Sequence, residues 1–389
     1  MFLIFDDRAS DSPMVERIWR CHSERAGTFL SVAASHWVAG ETNSRNFPTA
    51  NAFQPTLSDT GVFRSMNGGG NWSAVNSGLT DSDVRALVVD PVNSTTVYAG
   101  TWGGGVLKST DGGATWSASN AGLTYLNVNA LAIDPATPSV LYAATAGALF
   151  KSTDAGGTWM NTLGQNAASV AVNPSDPLTV YAGTTNGVFK TTNGGASWSL
   201  SNNGFPNFLV WVWSLAIDPI TPSTLFASIE YAAIGVNDYQ VYKSTDGGST
   251  WSDSSTGLSV LSIIPALAID PVTPSTLYAG QNPGVFKSTN GGATWGVSRS
   301  GLPFGPTPYA LAIDPVAPSV VYAGLGADIY GAGRDGGVYR SVDGGGSWGL
   351  TLPGPSIVRA LAINPSMPST VYAGAFKDES NAFVTKISP

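Results

Sequence analysis

Residues 106–116, Val-Leu-Lys-Ser-Thr-Asp-Gly-Gly-Ala-Thr-Trp, form a hairpin motif that recurs along the chain and decides its fold. An apolar run ending in Asp-Pro or Asn-Pro and a Leu/Val-Tyr-Ala-Gly run recur with it, and the three motifs occur seven times in fixed order. The tryptophans that close the hairpin motifs are Trp72, Trp116, Trp159, Trp198, Trp251, Trp295 and Trp348. Their spacings of 39 to 53 residues match the length of a four-stranded propeller blade.

The repeat predicts an all-β fold, a single seven-bladed β-propeller with four-stranded antiparallel blades. The run at residues 131–133 and its counterparts suit innermost strands, since continuous apolar residues are typical of strands buried on both faces. The first motif, 65–72, lacks an inner strand pair, and the last pair, 361–374, lacks a motif. We therefore expect N-terminal outer strands to pair with C-terminal inner strands and close the ring. The expected domains are an N-terminal appendage, 1–55, and the propeller, 56–389.

Composition narrows the classes of partner. The formal net charge of −8 and the isoelectric point near 4.7 oppose binding to nucleic acid or to anionic membranes, which requires a cationic face. A single cysteine, Cys21, excludes an internal disulfide. The N-terminal apolar run is too short for a signal-peptide core, so the chain as written is expected to be cytoplasmic. We expect a monomer.

The hairpin motif itself is expected to be structural. Its Asp or Asn is suited to accept hydrogen bonds from turn amides, its Gly supplies positive φ, and its Trp is suited to pack between blades. We therefore do not assign the seven acidic or amide residues to metal binding or catalysis merely because they recur.

These hairpin motifs, joined to Ala-Ile-Asp-Pro and Tyr-Ala-Gly runs, resemble the Asp-box propellers of photosystem II stability/assembly factors, sortilin-type receptors and xyloglucan-hydrolysing glycoside hydrolases. The resemblance covers residues 61–374. It implies the fold but not the activity, because these relatives include an assembly chaperone, receptors and enzymes. The hydrolases use a cleft between two such propellers, so no catalytic residue is transferred to this chain.

The two ends depart from the repeat. Residues 12–37 resemble the N-terminal segment of arabinose-regulator-type transcription factors, which indicates a fusion near Trp37. The last residues, 381–389, resemble the opening of another bacterial propeller repeat. We therefore expect the propeller to come from a longer, exported protein.

Variation between repeats locates the candidate site. The connections from second to third strand and from fourth strand to the next first strand share one face of a propeller, here named the variable face, where repeat scaffolds usually carry function. Five residues before each Asp-Pro acid, at the mouth of the channel, the chain carries Arg85, Asn129, Ala168, Trp213, Pro265, Tyr309 and Arg359. Arg85, Asn129, Trp213, Tyr309 and Arg359 are the predicted ligand-binding members of this ring.

The two arginines of the ring are expected on neighbouring blades. Together they are suited to grip a carboxylate, phosphate or sulfate. The alternative is that they pair with nearby acids, Asp81 and Asp83 for Arg85, and Asp378 and Glu379 for Arg359.

Two insertions add aromatic and acidic residues to this face. The aromatic residues offer flat apolar surfaces for sugar rings; they are Phe208, Trp211, Trp213, Tyr231, Tyr239 and Tyr330. Glu230, Asp328 and Asp335 are the candidate catalytic carboxylates, and Asp238 is a further acceptor. Alternatively, the aromatics pack their own loops. Ca²⁺ is only weakly indicated because no Asp-x-Asp-x-Asp-Gly loop is present, so we expect no cofactor and no metal.

The leading functional hypothesis is a ligand-binding or assembly propeller that recognises a glycan or a protein surface through the variable face. The alternative is a hydrolase of glycosides, or of phosphate or sulfate esters, that uses carboxylates and arginines on that face. A third hypothesis is a purely structural repeat. Histidine occurs only at His22 and His36, outside the repeats, so Ser-His-Asp triads and histidine-based zinc sites are not expected in the propeller.

Overall fold

A computed structural model describes residues 37–40, 60–206, 209–233, 236–326, 336–354, 357–376 and 383–386. The chain divides into two units, Met1–Ser58 with Asp378–Pro389, and Asp59–Lys377. In the smaller unit, strand β1 (Trp37–Gly40) pairs antiparallel with strand β30 (Phe383–Lys386). Every helix or strand assigned within the described residues is a strand, which confirms the all-β prediction. Within that same part of the chain, no helix is long and apolar enough to span a membrane.

Five four-stranded antiparallel sheets, here called blades, make up most of the larger unit. Blade I contains β4 (Val84–Val89), β5 (Val97–Thr101), β6 (Val106–Ser109) and β7 (Ser117–Ala118). Blade II contains β8 (Val128–Ile133), β9 (Leu141–Thr145), β10 (Leu149–Ser152) and β11 (Met160–Leu163). Blade III contains β12 (Ala167–Val172), β13 (Val180–Thr184), β14 (Gly187–Thr191) and β15 (Ser199–Leu200). Blade IV contains β16 (Val210–Ile217), β17 (Leu225–Ala233), β18 (Val236–Ser244) and β19 (Ser252–Asp253). Blade V contains β20 (Ala266–Ile269), β21 (Leu277–Gln281), β22 (Gly284–Ser288) and β23 (Gly296–Ser298).

The remaining strands form one eight-stranded sheet. Its members are β24 (Thr307–Ile313), β25 (Val321–Gly326), β26 (Gly337–Ser341), β27 (Gly349–Pro353), β28 (Ile357–Ile363), β29 (Val371–Phe376), β2 (Gly61–Ser65) and β3 (Ser73–Ala74). The strand order is β27-β26-β25-β28-β29-β2-β3, with β24 paired to β25. The N-terminal strand β2 pairs antiparallel with the C-terminal strand β29, from Gly61 opposite Ala375 to Ser65 opposite Val371.

The prediction of seven separate four-stranded blades is therefore wrong. The structure has five such blades and one eight-stranded sheet. The physical reason is a single backbone pairing between Gly326, at the end of β25, and Ile357, at the start of β28. This contact makes one hydrogen-bonded sheet of eight strands that the sequence motifs place in two repeats.

Close packing between innermost strands explains the Tyr-Ala-Gly run. A Cβ atom on Gly100 of blade I would lie 2.6 Å from Cγ1 of Val128, on the innermost strand of blade II. A Cβ atom on Gly324 would lie 2.6 Å from Cγ1 of Val358, and one on Gly183 would lie 2.7 Å from Cγ1 of Val212. Glycine is therefore required wherever a valine of the next innermost strand packs against this position.

The hairpin motif is a closed set of local hydrogen bonds, as predicted. In blade I, Ser109 Oγ donates to Asp111 Oδ1 at 2.7 Å, and the amide and hydroxyl of Thr115 donate to the same carboxylate at 2.9 and 2.6 Å. Gly113 adopts φ 89° and donates its amide to Ser109 Oγ at 2.8 Å. The carboxylate is therefore fully engaged in its own turn.

The hairpin motifs of blades I to V are also joined to the preceding sheet by their tryptophans. Trp159 Nε1 donates to the carbonyl of Ser119 at 2.7 Å. In return, Tyr98 Oη and Lys108 Nζ of blade I both donate to the carbonyl of Ala155, in the motif of blade II, at 3.0 and 2.8 Å. We call this convergence of a tyrosine hydroxyl and a lysine ammonium on one carbonyl the interblade clamp.

The interblade clamp recurs between other blades, and blade IV lacks one of its two donors. Tyr278 and Lys287 converge on Gly344 at 2.9 and 2.7 Å. Blade IV carries Phe226 at the tyrosine position, so only Lys243 donates to the carbonyl of Gly291, at 2.8 Å. The junction between blades IV and V therefore has only one of the two clamp donors.

Replacing Phe226 by Tyr should supply the missing donor. We expect Phe226→Tyr to raise the free energy of unfolding by about 1 kcal/mol, and Tyr278→Phe to lower it by about 1 kcal/mol, since one neutral hydrogen bond is gained or lost. Urea unfolding followed by tryptophan fluorescence measures both changes. Equal stability of all three proteins would show that the hydroxyl contributes nothing to the clamp.

The hairpin motifs should also make the fold sensitive to acid. Hydrogen bonds, chiefly from the Thr115 side chain, lower the pKa of Asp111 from 3.8 to about 2, and equivalent bonds lower the pKa values of Asp154 and Asp246 to about 2. The pKa of Asp343 is lowered by its bonds to Ser347. Because these folded-state pKa values are depressed, the stabilisation is complete above about pH 4 and is lost as the pH falls toward about 2.

Three other motifs supply a matched control for the acid prediction, because they carry Asn67, Asn193 and Asn290 in place of aspartate. Changing all four aspartates to Asn should reduce the loss of melting temperature between about pH 4 and pH 2. An unchanged acid dependence in the quadruple variant would contradict the assignment.

Candidate functional site

The predicted ring residues share a backbone feature. Six of the innermost strands shift register by one residue at the ring position, at Arg85, Asn129, Ala168, Trp213, Tyr309 and Arg359. A bulge of this kind leaves one residue out of the ladder and redirects its side chain. Pro265 is different, since it directly precedes β20 and lies outside the strand.

The most elaborate arrangement lies in blade IV. There the insertion does not form a loop but lengthens β17 and β18 to nine residues each. Across the three strands, Trp211 lies opposite Glu230, and Glu230 lies opposite Tyr239. The sequence predicts these residues on the variable face, and the strand register brings them side by side.

Glu230 is the centre of this cluster, which we name the tryptophan site (Trp211, Trp213, Glu230 and Tyr239). Trp213 Nε1 donates to Glu230 Oε2 at 3.0 Å, and the Tyr239 hydroxyl donates to Oε1 at 3.3 Å. The indole rings of Trp211 and Trp213 stack in parallel, with centroids 4.9 Å apart and an interplanar angle of 2°. Trp211 retains 37% of its surface exposed, so the stack presents an aromatic surface to solvent.

The tryptophan site faces blade V. On β17, Phe226 packs with Ile264 of the approach to blade V, and side chains alternate along a strand, so Ser228 and Glu230 share the face of Phe226. The connection between the two blades is held in place by Gln281, whose amide donates to the carbonyls of Ser259 and Ser262 at 2.6 and 2.9 Å.

The same connection lines the rim of the tryptophan site. The amide of Tyr239 donates to the carbonyl of Val260 at 3.0 Å, and the adjacent Leu261 is 76% exposed. The exposed leucine adds apolar surface beside Tyr239.

Tyr231 and Asp238 lie on the opposite face of blade IV. They are cross-strand partners, and the Tyr231 hydroxyl donates to Asp238 Oδ2 at 3.3 Å. Burial, reinforced by the charge of Asp238, raises the pKa of Tyr231 above its usual value, so the hydroxyl stays protonated. Tyr231 also packs against the apolar core that blades III and IV share. This pair is therefore separated from Glu230 by the sheet.

Arg85 pairs with a nearby acid, which is the alternative to ligand binding that the sequence left open. Its Nη2 and Nε lie 2.9 and 3.1 Å from Asp83 Oδ2, and Nε lies 3.3 Å from Oδ1. Its guanidinium also stacks on the indole of Trp102, 3.6 Å from the ring centroid. Arg85 is thus held by an acid and an aromatic ring of its own blade.

The other ring residues make separate contacts. The Arg359 guanidinium lies 5.2 Å from the ring centroid of Tyr309, so these two members of the ring are in contact across neighbouring innermost strands. Asn129 Nδ2 donates to the carbonyl of Ala167 at 2.9 Å. Ala360 directly follows Arg359, and Val84 directly precedes Arg85. Both Ala360 and Val84 lie against Gly374, so the two arginine bulges are neighbours.

Several predicted residues lie outside the described residues: Phe208, Asp328, Tyr330, Asp335, Asp378, Glu379, His22, His36 and Cys21. Their proposed roles stay predictions. Within the described ranges, no group of three or more His, Cys, Asp or Glu side chains is arranged to hold a metal ion.

Sequence reasoning missed Trp102 and Ser228. Trp102 follows the Tyr-Ala-Gly-Thr run of blade I directly, and an exposed aromatic in a connection of the variable face was a usable signal. Ser228 stands where most repeats carry glycine, a departure visible in the alignment of the repeats.

Comparison with known proteins supports the fold. No protein-family model and no curated protein matches the chain. A GH74 xyloglucanase from Xanthomonas campestris is similar in structure, with a TM-score of 0.62 and 19% identity over 79% of this chain and 52% of that one. The GH74 enzyme of Niastella koreensis gives a TM-score of 0.62 and 22% identity, over 83% of this chain and 53% of that one. YCF48 from Cyanidioschyzon merolae gives a TM-score of 0.52 and 18% identity, over 76% of this chain and 96% of that one.

These identities show a shared β-propeller fold and nothing finer. The chain spans about half the length of the two GH74 enzymes. The resemblance of residues 12–37 to arabinose-regulator-type transcription factors stays a prediction.

The Asp83–Arg85 pair should contribute measurably to stability. Both side chains are largely buried, at 11% and 19% exposure, so solvent screens the pair less than it screens a surface ion pair. We expect Asp83→Asn to lower the free energy of unfolding by about 1–2 kcal/mol, since charge-assisted hydrogen bonds are weakened. The same change in an Arg85→Met background should have little effect. Additive effects in this double-mutant cycle, measured by urea unfolding, would show that the two side chains are not coupled.

Proposed function

We propose that this propeller is a ligand-binding module that recognises a carbohydrate at the tryptophan site. The observation that carries the proposal is the exposed Trp211 ring. This ring is oriented by its parallel stack on Trp213, which in turn donates a hydrogen bond to the Glu230 carboxylate. Aromatic faces bind the apolar faces of sugar rings, while a neighbouring carboxylate accepts hydrogen bonds from sugar hydroxyls.

Preorganisation supports the proposal. The bulge at Trp213 and the hydrogen bond to Glu230 fix the inner indole, and the parallel stack in turn orients Trp211. Because these groups are already ordered, binding costs less side-chain entropy than it would on a mobile loop. The rigid strands β16–β18, rather than a flexible connection, carry the site.

The carboxylate of Glu230 is suited to accept hydrogen bonds. An indole N–H and a phenol hydroxyl donate to its two oxygens and fix the position of the carboxylate. A carboxylate oxygen can accept more than one hydrogen bond. A sugar hydroxyl placed on Trp211 is therefore offered an acceptor whose position is fixed.

A hydrolase remains the second candidate, favoured by the presence of a positioned carboxylate on the variable face. Glycoside hydrolysis ordinarily uses a pair of carboxylates that flank the scissile bond. Asp238 lies on the opposite face of blade IV from Glu230, so it does not supply the second member. Asp328 and Asp335 are the proposed partners, and their role awaits the turnover test below.

Oligosaccharide binding tests the proposal. We expect the purified protein to retain members of an immobilised oligosaccharide panel, and Trp211→Ala to weaken binding about tenfold or more, as measured by titration calorimetry, because the stacking surface is lost. Trp102→Ala is a matched control, since Trp102 is equally exposed, at 37%, and lies on the variable face. Binding that survives Trp211→Ala, or no retention of any oligosaccharide, would refute the proposal.

A turnover panel of glycoside, phosphate-ester and sulfate-ester substrates separates the two candidates. Turnover that disappears in a folded Glu230→Gln variant would establish the hydrolase. Oligosaccharide binding without turnover would support the carbohydrate-binding module and exclude hydrolysis of the substrates in the panel. Capture of a protein partner instead of an oligosaccharide would move the assignment to assembly.

A further inference from the structure

A pair of serines lies directly inside the tryptophan site. Ser214 of β16 and Ser228 of β17 are cross-strand partners, and the side chains of such partners share one face of a sheet. Ser228 precedes Glu230 by two residues, so its side chain points the same way, one step deeper along the strand. The serines therefore form the inner end of the surface on which Glu230 lies.

Hydroxyl groups on both strands distinguish this blade from the other repeats. The equivalent cross-strand pairs are Ala86–Gly100, Ala130–Ala144, Ser169–Gly183, Ala266–Gly280, Ala310–Gly324 and Ala360–Gly374. Within the described residues, the Ser214–Ser228 pair is thus the one that places a hydroxyl on each strand. It occurs in the same blade as the tryptophan site.

The position of Ser228 is closely packed in the other repeats. In four of them a valine of the next innermost strand crowds the equivalent glycine, as Val128 crowds Gly100. In blade V the residue that corresponds to Val128 is Ile264, which is buried and precedes β20 rather than lying within it. Ser228 is therefore enclosed beside a residue that is outside the strand ladder.

The hydroxyl of Ser228 has no partner of its own. Ser228 is only 1% exposed, and its Oγ makes no hydrogen bond within the described part of the chain. Buried hydroxyls are ordinarily satisfied by protein, by ordered water or by a ligand. Ser228 Oγ therefore lies one step inside a carboxylate and an aromatic stack without a protein partner among the described residues.

We propose that Ser228, with Ser214 opposite it, forms a hydroxyl-binding subsite at the inner end of the tryptophan site, an inference that rests on the proposed carbohydrate recognition. The occupant is a hydroxyl group, either of the sugar itself or of an ordered water that the sugar contacts. Ser228 then decides which sugars fit, because a hydroxyl-bearing substituent finds a donor and acceptor there and an apolar one leaves Oγ unsatisfied.

Ser228→Gly is the decisive variant, because glycine occupies this position in most repeats and the backbone there tolerates it. We expect Ser228→Gly to weaken binding of the parent oligosaccharide by about 3- to 10-fold in titration calorimetry, the effect of one neutral hydrogen bond. Ser228→Ala should weaken binding to the same extent, and the equivalent position of blade II is already an alanine, Ala144. Ser169→Ala is the control, since Ser169 is also buried with an unpartnered hydroxyl but lies in blade III.

Monodeoxy analogues of the bound sugar identify the occupant. If a sugar hydroxyl fills the subsite, one analogue binds the wild type more weakly yet binds Ser228→Gly as well as the parent sugar does. If an ordered water fills it, Ser228→Gly weakens every analogue by the same factor. Either result supports the subsite.

Unchanged affinity in both Ser228 variants, while Trp211→Ala abolishes binding, would overturn the subsite and leave the carbohydrate proposal intact. A wild-type protein that retains no oligosaccharide would instead remove the carbohydrate proposal itself. Melting temperatures of the variants close to that of the wild type establish that the comparison is made on folded protein.

Discussion

The larger unit depends on hydrogen bonds between sheets that converge on the carbonyl groups of the hairpin motifs. In the interblade clamp, a tyrosine hydroxyl and a lysine ammonium of one blade reach the same carbonyl in the next, as Tyr98 and Lys108 do at Ala155. The motif tryptophan donates in the opposite direction, to the preceding sheet. Every blade is thus both donor and acceptor to its neighbours, and a partly buried carbonyl that would otherwise cost free energy becomes the joint between blades.

This scaffold separates stability from recognition. The clamps and hairpin motifs repeat with few changes, whereas the bulges at the ring positions carry a different side chain in almost every innermost strand. Because a bulged residue is outside the ladder, its side chain can change without loss of a cross-strand pair. Blade IV uses this freedom most fully, with Trp213 at the bulge and a lengthened hairpin that brings Glu230 and Tyr239 to it.

Repetition made the all-β propeller predictable, since the hairpin motif specifies its own hydrogen bonds within a few residues of Asp111. The division into sheets was not predictable, because one backbone contact between Gly326 and Ile357 decides it. In the candidate site, Trp211, Trp213, Glu230 and Tyr239 were expected on one face, but their mutual contacts depend on a strand register that the sequence does not display. The expected pairing of Arg85 with a nearby acid needed only Asp83, two residues away.

The pairing of β2 with β29 also governs the order in which the chain can be completed during synthesis. β2 leaves the ribosome among the first strands of the larger unit, yet its partner is among the last. Until then the edge of β2 is open to pairing with other chains, and bringing β2 to β29 closes a loop that contains most of the polypeptide. The final sheet is therefore a late, non-local event in folding, and a truncated chain without β29 leaves β2 and β3 without the neighbour on which they form.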